Sequence, residues 1–232
     1  MTAALAQAWQ LLLSFNKDTW DIVWLSLSIS LSALAIGTVI GVPIGALIAI
    51  KEFSGKRFVI TVLNSLMGVP TVIVGVIIYL LLSRSGPLGE LGLLFTPKAI
   101  VIAQVFLTTP VIAALSRQIL EDNWDIHSTS FKALRLKTSE CVKWLLWDSR
   151  FSLSIVIITG FARAISEVGA VMIVGGNINH STRTMTTAIA LETSKGDLPL
   201  ALALGIALLG VVLFINIFSS SLKYWSQRRY GA

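Results

Sequence analysis

The stretch IVWLSLSISLSALAIGTVIGVPIGALIAI, residues 22–50, lies between Asp21 and Lys51 and contains no charged residue. A helix crosses the hydrocarbon core of a bilayer in about 20 mainly apolar residues, whereas a barrel strand needs about 10 with strict alternation. Residues 22–50 therefore read as one membrane-spanning helix. The rest of the chain repeats the pattern. Arg57 to Arg84, Lys98 to Arg117 and Asp197 to Lys223 enclose three more charge-free runs, and another extends from Arg150 to about Gly176, interrupted by Arg163 and Glu167. The sequence predicts an all-α, polytopic membrane protein with five transmembrane helices.

Composition agrees. Only 13% of the residues are charged and 55% are hydrophobic, against about a quarter charged in a soluble domain. The formal charge of +6 does not imply nucleic acid, because the basic residues form no stripe with interleaved aromatics and sit between apolar runs. Cys141 is the one cysteine, so no internal disulfide is expected. His127 and His180 stand far apart without a carboxylate cluster, which offers no metal-ligand set.

Lys and Arg divide unevenly between the two sides. Lys51, Lys56, Arg57, Arg117, Lys132, Arg135, Lys137, Lys143, Arg150, Lys223, Arg228 and Arg229 share one side, and Lys17, Arg84, Lys98, Arg183 and Lys195 the other. The positive-inside rule makes the first set cytoplasmic, placing the N-terminus outside and the C-terminus inside. No Lys or Arg precedes Lys17, so the segment is not expected to act as a cleaved signal peptide. Residues 1–19 are expected to lie at the interface with Trp9 and Phe15 at headgroup depth, 20–225 to form one transmembrane domain, and 226–232 a cytoplasmic tail. Gly37, Gly41 and Gly45 put three glycines on one helix face, suited to close packing inside the subunit more than to a dimer contact. Pro43, Pro70 and Pro110 can bend their helices.

The cytoplasmic stretch 118–149 is longer than a reversal of direction needs. After Asn123, a candidate cap, Ile126, Phe131 and Leu134 and then Val142, Leu145, Leu146 and Trp147 predict two short amphipathic helices, either interfacial or a docking surface. This loop resembles the coupling loop of permeases in binding-protein-dependent ATP-binding-cassette (ABC) importers, whose pattern is Glu-Ala-Ala, three residues, Gly, and later an apolar-Pro end. Phe131, Lys132 and Ala133 match the first three positions and Lys137 the glycine, with Leu136 and Ser139 as in the family. Phe131 replaces the acidic residue, Lys137 the glycine, and Asp148 stands where proline is expected.

A longer resemblance covers FARAISEVGAVMIVGGNINHSTRTMTTAIALETSKGD, residues 161–197, and MGVPTVIVGVIIYLLLSRSGPLG, residues 67–89, both similar to the tungstate permeases of that family. The resemblance implies a homodimer with a path on its axis, two cytoplasmic ATPase subunits under the coupling loops, and an extracytoplasmic oxyanion-binding protein. It also implies a multi-pass protein of the inner or plasma membrane. The chain has no GxxxxGK[ST] phosphate loop, so ATP is expected on the partner subunit and no cofactor on this one. A molybdate or other oxyanion permease of the same class is the alternative.

Within the spans, Arg163 and Glu167 are four residues apart, on one face of a continuous helix, where they can pair. They read either as a salt bridge fixing helix packing or as Arg163 lending positive potential to an anion path that Glu167 tempers. A dianion that must leave its conduit favours neutral donors over fixed cations. The candidates are Thr71, Thr108, Thr109, Ser166 and the Gly175-Gly176-Asn177 turn, with its backbone N–H groups. An intramembrane enzyme is the remote alternative: HExxH, GxSxG and paired aspartates are all absent. An ion-coupled transporter would show inverted repeats, and none is visible.

Overall fold

The structure is a computed structural model. It describes the backbone of residues 2–14 and 17–230 and the side chains of residues 5–14 and 17–221, so the headgroup placement expected for Phe15 lies outside the described residues. Among these residues every regular element is helical. The order is α1 (Thr2–Leu13), α2 (Lys17–Ile50), α3 (Lys56–Met67), α4 (Thr71–Leu82), α5 (Pro97–Ala133), α6 (Thr138–Asp148), α7 (Arg150–Ile165), α8 (Gly169–Gly175), α9 (Met185–Lys195) and α10 (Leu198–Tyr230), with a 3-10 turn at Gly89–Leu91.

Three helices, α2, α5 and α10, are each long and apolar enough to cross a membrane. Two bent pairs, α3 with α4 and α6 with α7, bring the candidate spans to five. The expected second span is therefore not straight. It turns by 96° between Met67 and Thr71, where Pro70 disfavours the α conformation at Val69 and Pro70 itself precedes the first turn of α4. Pro43 and Pro110, by contrast, lie inside continuous helices.

The centre of the fold is the α2–α5 pair, and three glycines set its spacing. A Cβ on Gly37 would stand 2.9 Å from Thr108 Oγ1, on Gly41 3.0 Å from the Thr109 carbonyl, and on Gly45 2.6 Å from the Ala113 carbonyl. Side chains there would hold the backbones apart, so the glycine face is an intrasubunit packing face, as its spacing suggests. Around this pair, one apolar cluster joins α2, α4, α5 and α8, a second joins α2, α5, α6 and α7, and a third joins α2, α7, α9 and α10.

The 118–149 stretch differs in part from its expectation. The second of the two expected short helices is α6, but the first is not separate: α5 continues unbroken to Ala133, because no Gly or Pro lies between Pro110 and Ala133 and the Arg117–Glu121 pair braces its surface. Asn123 is consequently not a cap: it lies inside α5 and donates from Nδ2 to Ser149 Oγ at 2.6 Å. The chain reverses at Leu134–Lys137, with Arg135 in the left-handed region (φ 50°), and α6 folds back along α5. Of the expected 226–232 tail, residues 226–230 are helical and continue α10 to Tyr230, and residues 231–232 lie outside the described residues. At the other end, α1 packs against α10 with Ala8 buried and Trp9 exposed.

Candidate translocation site

The predicted path residues fall into three places. The first is the break between α7 and α8. Residues Ser166 to Val168 leave the helix, so Arg163 and Glu167 do not share a continuous helical face, and no ion pair joins them. Glu167 is 9% exposed, and its Oε1 accepts from the Ala170 N–H at 3.2 Å, satisfying a donor in the first turn of α8. Arg163 is exposed. Of the two readings of this pair, the salt bridge is not formed, and the carboxylate bonds the first turn of α8.

Two glycines hold this break against α4. A Cβ on Gly169 would come within 2.8 Å of Val72 Cγ2 and 3.0 Å of Thr71 Oγ1, and one on Gly75 within 2.8 Å of the Ala170 Cα. The approach brings Thr71 against Gly169 at the start of α8. Two residues that the sequence reading passed over complete the arrangement. Gln104, 3% exposed, donates from Nε2 to the Ala164 carbonyl at 2.9 Å, while its Oε1 is buried without a partner. Thr186 on α9 donates to the Glu167 carbonyl at 2.7 Å. Both supply the break with bonds that a continuous helix would have made for itself. Gln104 was detectable as the one amide between Lys98 and Arg117. Thr186 was hidden in a stretch that reads as a polar loop and folds as α9.

The second place is the α2–α5 seam. Thr108 is fully buried, faces Gly37 and donates to the Gln104 carbonyl at 2.8 Å. The Thr109 hydroxyl is buried there too, without a partner. These threonines lie in helix packing, Thr108 one turn along α5 from Gln104.

The third place is the far end of α8. The Gly176 N–H, expected to be bare, bonds the Met172 carbonyl at 3.0 Å as the helix ends in a left-handed residue (φ 68°). Asn177 Nδ2 donates to the Thr187 carbonyl at 3.2 Å, and Gly175 packs on Ile100. The Gly176 N–H and the Asn177 amide are thus spent internally. Beyond it, buried hydroxyls of Thr184, Thr186 and Thr187 bond one another at 3.1–3.2 Å, the Met185 N–H reaches Ser26 Oγ at 2.8 Å, and buried Glu192 is 3.0 Å from Lys195 Nζ and 3.8 Å from Arg183.

The break therefore leaves Ser166 and Arg163 exposed, next in sequence to a buried carboxylate, with half-buried Thr71 packed against Gly169 at the start of α8. Neutral donors with one cation nearby attract an oxyanion without holding it tightly.

At the α5–α6 hairpin, Phe131 departs from the role expected of it. It is 5% exposed, with its ring centroid 5.2 Å from Trp144 and 5.8 Å from Trp124, so it is part of the α5–α6 core and not an outer contact. Lys132, Ala133, Leu136, Lys137 and Ser139 are exposed about the reversal, and the Lys137 N–H is held by Glu140 Oε2 at 2.7 Å. Leu134, at the reversal, and Trp147, at the far end of α6, are 69% and 72% exposed.

No family model matches the chain. It is 41% identical over 216 residues, 93% of its length and 95% of the relative's, to the tungstate uptake system permease protein TupB of Peptoclostridium acidaminophilum. It is 40% identical over 172 residues, 74% of its length and 72% of the relative's, to TupB of Campylobacter jejuni. With a probable anion ABC transporter permease protein of Haloferax volcanii it shares 37% identity over 217 residues, 91% of its length and 93% of the relative's.

Proposed function

Because the chain belongs to the permease family of ABC-type tungstate and anion uptake systems, we propose that it is the membrane-spanning subunit of an ATP-driven tungstate importer. The identity that runs through nearly the whole chain carries this reading. A permease contributes the path while ATP is bound and hydrolysed by a separate subunit, so this chain needs no cofactor of its own. Two such ATPases dock beneath a homodimer of this chain, and an extracytoplasmic binding protein delivers the oxyanion.

The five candidate spans run with the N-terminus outside and the C-terminus inside the inner or plasma membrane, a reading supported by the distribution of Lys and Arg. Thr71, Ser166 and Arg163 meet the anion, with Glu167 and Gln104 holding the α7–α8 break open behind them. ATP binding draws the two α5–α6 hairpins together and turns the path outward; hydrolysis returns it inward. Exposed Lys132, Ala133, Leu136, Lys137 and Ser139 form the ATPase contact.

The test is ATP-dependent uptake by proteoliposomes holding this chain, its ATPase and the binding protein. Tungstate accumulation that requires all three is expected. Accumulation of sulfate with no uptake of tungstate would refute the substrate assignment.

A further inference from the structure

The helix α3 has a pivot at each end. Residues 51–55, which precede it, are all exposed, and Gly55 stands in the left-handed region (φ 89°), where an added Cβ would meet nothing within 4 Å. This turn fixes where α3 starts but not its direction. At the other end the chain bends by 96° into α4. Between the two pivots α3 packs along α5 without burying a residue. Its 12 residues span about 18 Å, so a swing of about 10° carries the far end about 3 Å.

Charge holds that direction. The Lys56 ammonium has three donors, and it meets Glu52 Oε1 at 2.8 Å, Glu121 Oε1 at 3.1 Å and the Ala49 carbonyl at 3.3 Å. The second oxygen of Glu121 takes Arg117 Nη1. The side chains of Lys56, Arg117 and Glu121 are 12%, 13% and 25% exposed, against 82% for Glu52. The three sheltered groups escape most of the screening that leaves a surface pair with little weight. Glu52 does not, and it lies on the turn that leads into α3, so Glu121 is the partner that joins α3 to another helix.

Both sides of this join lead to parts already described. From Glu121, α5 runs on without a break to Ala133, about 18 Å further, where the hairpin reverses. From α3 the chain enters α4, whose Thr71 and Val72 lie against Gly169 and whose Gly75 lies against Ala170, with no room for a methyl group. A displacement of about 3 Å at the end of α3 would part these packed surfaces.

We propose that Glu121 is a positioning residue for transport: through Lys56 it fixes the direction of α3, so that α3, α4 and Thr71 move with α5 and its hairpin. Without the join, the hairpin moves and α4 does not follow. The proposal rests on the importer reading, in which the ATPase acts on the hairpin and Thr71 meets the anion.

ATP hydrolysis and tungstate uptake are measured together in proteoliposomes holding this chain, its ATPase and the binding protein. For Glu121→Gln, whose amide nitrogen cannot accept from the second cation, copurification of the ATPase is expected to persist and hydrolysis to stay within about twofold, while uptake per ATP falls about tenfold. Lys56→Met should behave alike, and Lys56→Arg and Glu52→Gln should transport as the unaltered chain does. Unchanged uptake in Glu121→Gln, or uptake and hydrolysis that fall in proportion, overturns the proposal, since a purely structural pair would lower both together. Should Glu121→Gln not assemble, Lys56→Met, which leaves the Arg117–Glu121 pair in place, is read by the same criteria. An unaltered complex that hydrolyses ATP and moves no tungstate would refute the importer reading instead, and the join is then read by electron paramagnetic resonance between spin labels at Thr61→Cys on α3 and Ser130→Cys on α5, both exposed positions. One distance with and without ATP is expected while Glu121 is present, and an altered distance in Glu121→Gln. A distance that shifts on ATP binding with Glu121 in place overturns the proposal.

Discussion

Glu167 and Gln104 illustrate how a helix can stop inside a membrane without stranding its polar groups. The carboxylate takes the Ala170 N–H and the amide reaches the Ala164 carbonyl, so the break is held by side chains from α5 and from its own turn. Glu167→Ala is expected to cost about 1 kcal/mol, the worth of a capping acceptor, and Glu167→Gln less, because an amide oxygen still accepts. Since no ion pair links Arg163 to Glu167, a double-mutant cycle with Arg163→Ala should give a coupling below about 0.5 kcal/mol in thermal unfolding of the purified protein. A coupling of several kcal/mol would restore the salt bridge. In transport, Arg163→Ala should lower uptake while leaving assembly with the ATPase intact, because it removes an exposed positive charge beside the donors.

At the scale of elements, the α2–α5 pair and the α5–α6 hairpin respond to substitution for different reasons. Gly45 faces the backbone of Ala113 and Arg117, which cannot rotate away. Gly45→Ala should therefore force the helices apart and cost about 1–3 kcal/mol. Gly205→Ala meets open space and should be neutral or gain up to about 1 kcal/mol. Melting of the two variants in one detergent checks the contrast. In the hairpin, Phe131→Ala leaves a hole among Trp124, Trp144 and Leu145 and should cost about 3–5 kcal/mol. Leu136→Asp sits on exposed surface and should change stability by under about 0.5 kcal/mol, yet abolish copurification of the ATPase by placing a charge in an apolar contact. Normal copurification with Leu136→Asp would move the docking face elsewhere on the hairpin.

For the whole molecule the decisive quantity is which side each loop faces. The native Cys141 is buried, so it gives little background to thiol labelling. Ser181 and Ser130 are both exposed, at opposite ends of the bundle under the charge-derived topology. Ser181→Cys should label with an impermeant maleimide in intact cells, and Ser130→Cys only after permeabilisation. Labelling of both from one side would exclude the five-span arrangement. Aqueous exposure of two loops depends on no single contact, so this outcome is independent of how α3–α4 and α6–α7 bend.

The sequence alone determined that the chain is helical and polytopic, where its apolar runs begin and end, and that Gly37, Gly41 and Gly45 pack within the subunit. Those features follow from local quantities: hydropathy summed over a span's length, charge at its ends, and the absence of a side chain at every fourth position. Tertiary structure decided the rest. Glu167 caps α8 instead of pairing with Arg163 because the helix breaks at Ser166. The break is possible because Gly75 and Gly169 admit α4 while Gln104 and Thr186 supply bonds from 60 and 19 residues away. Phe131 is buried because α6 folds back across it, and the Gly176 N–H is spent because α8 ends there. A residue's spacing fixes the face it occupies only while its helix lasts, and where a helix ends is settled by partners that lie far off in the sequence.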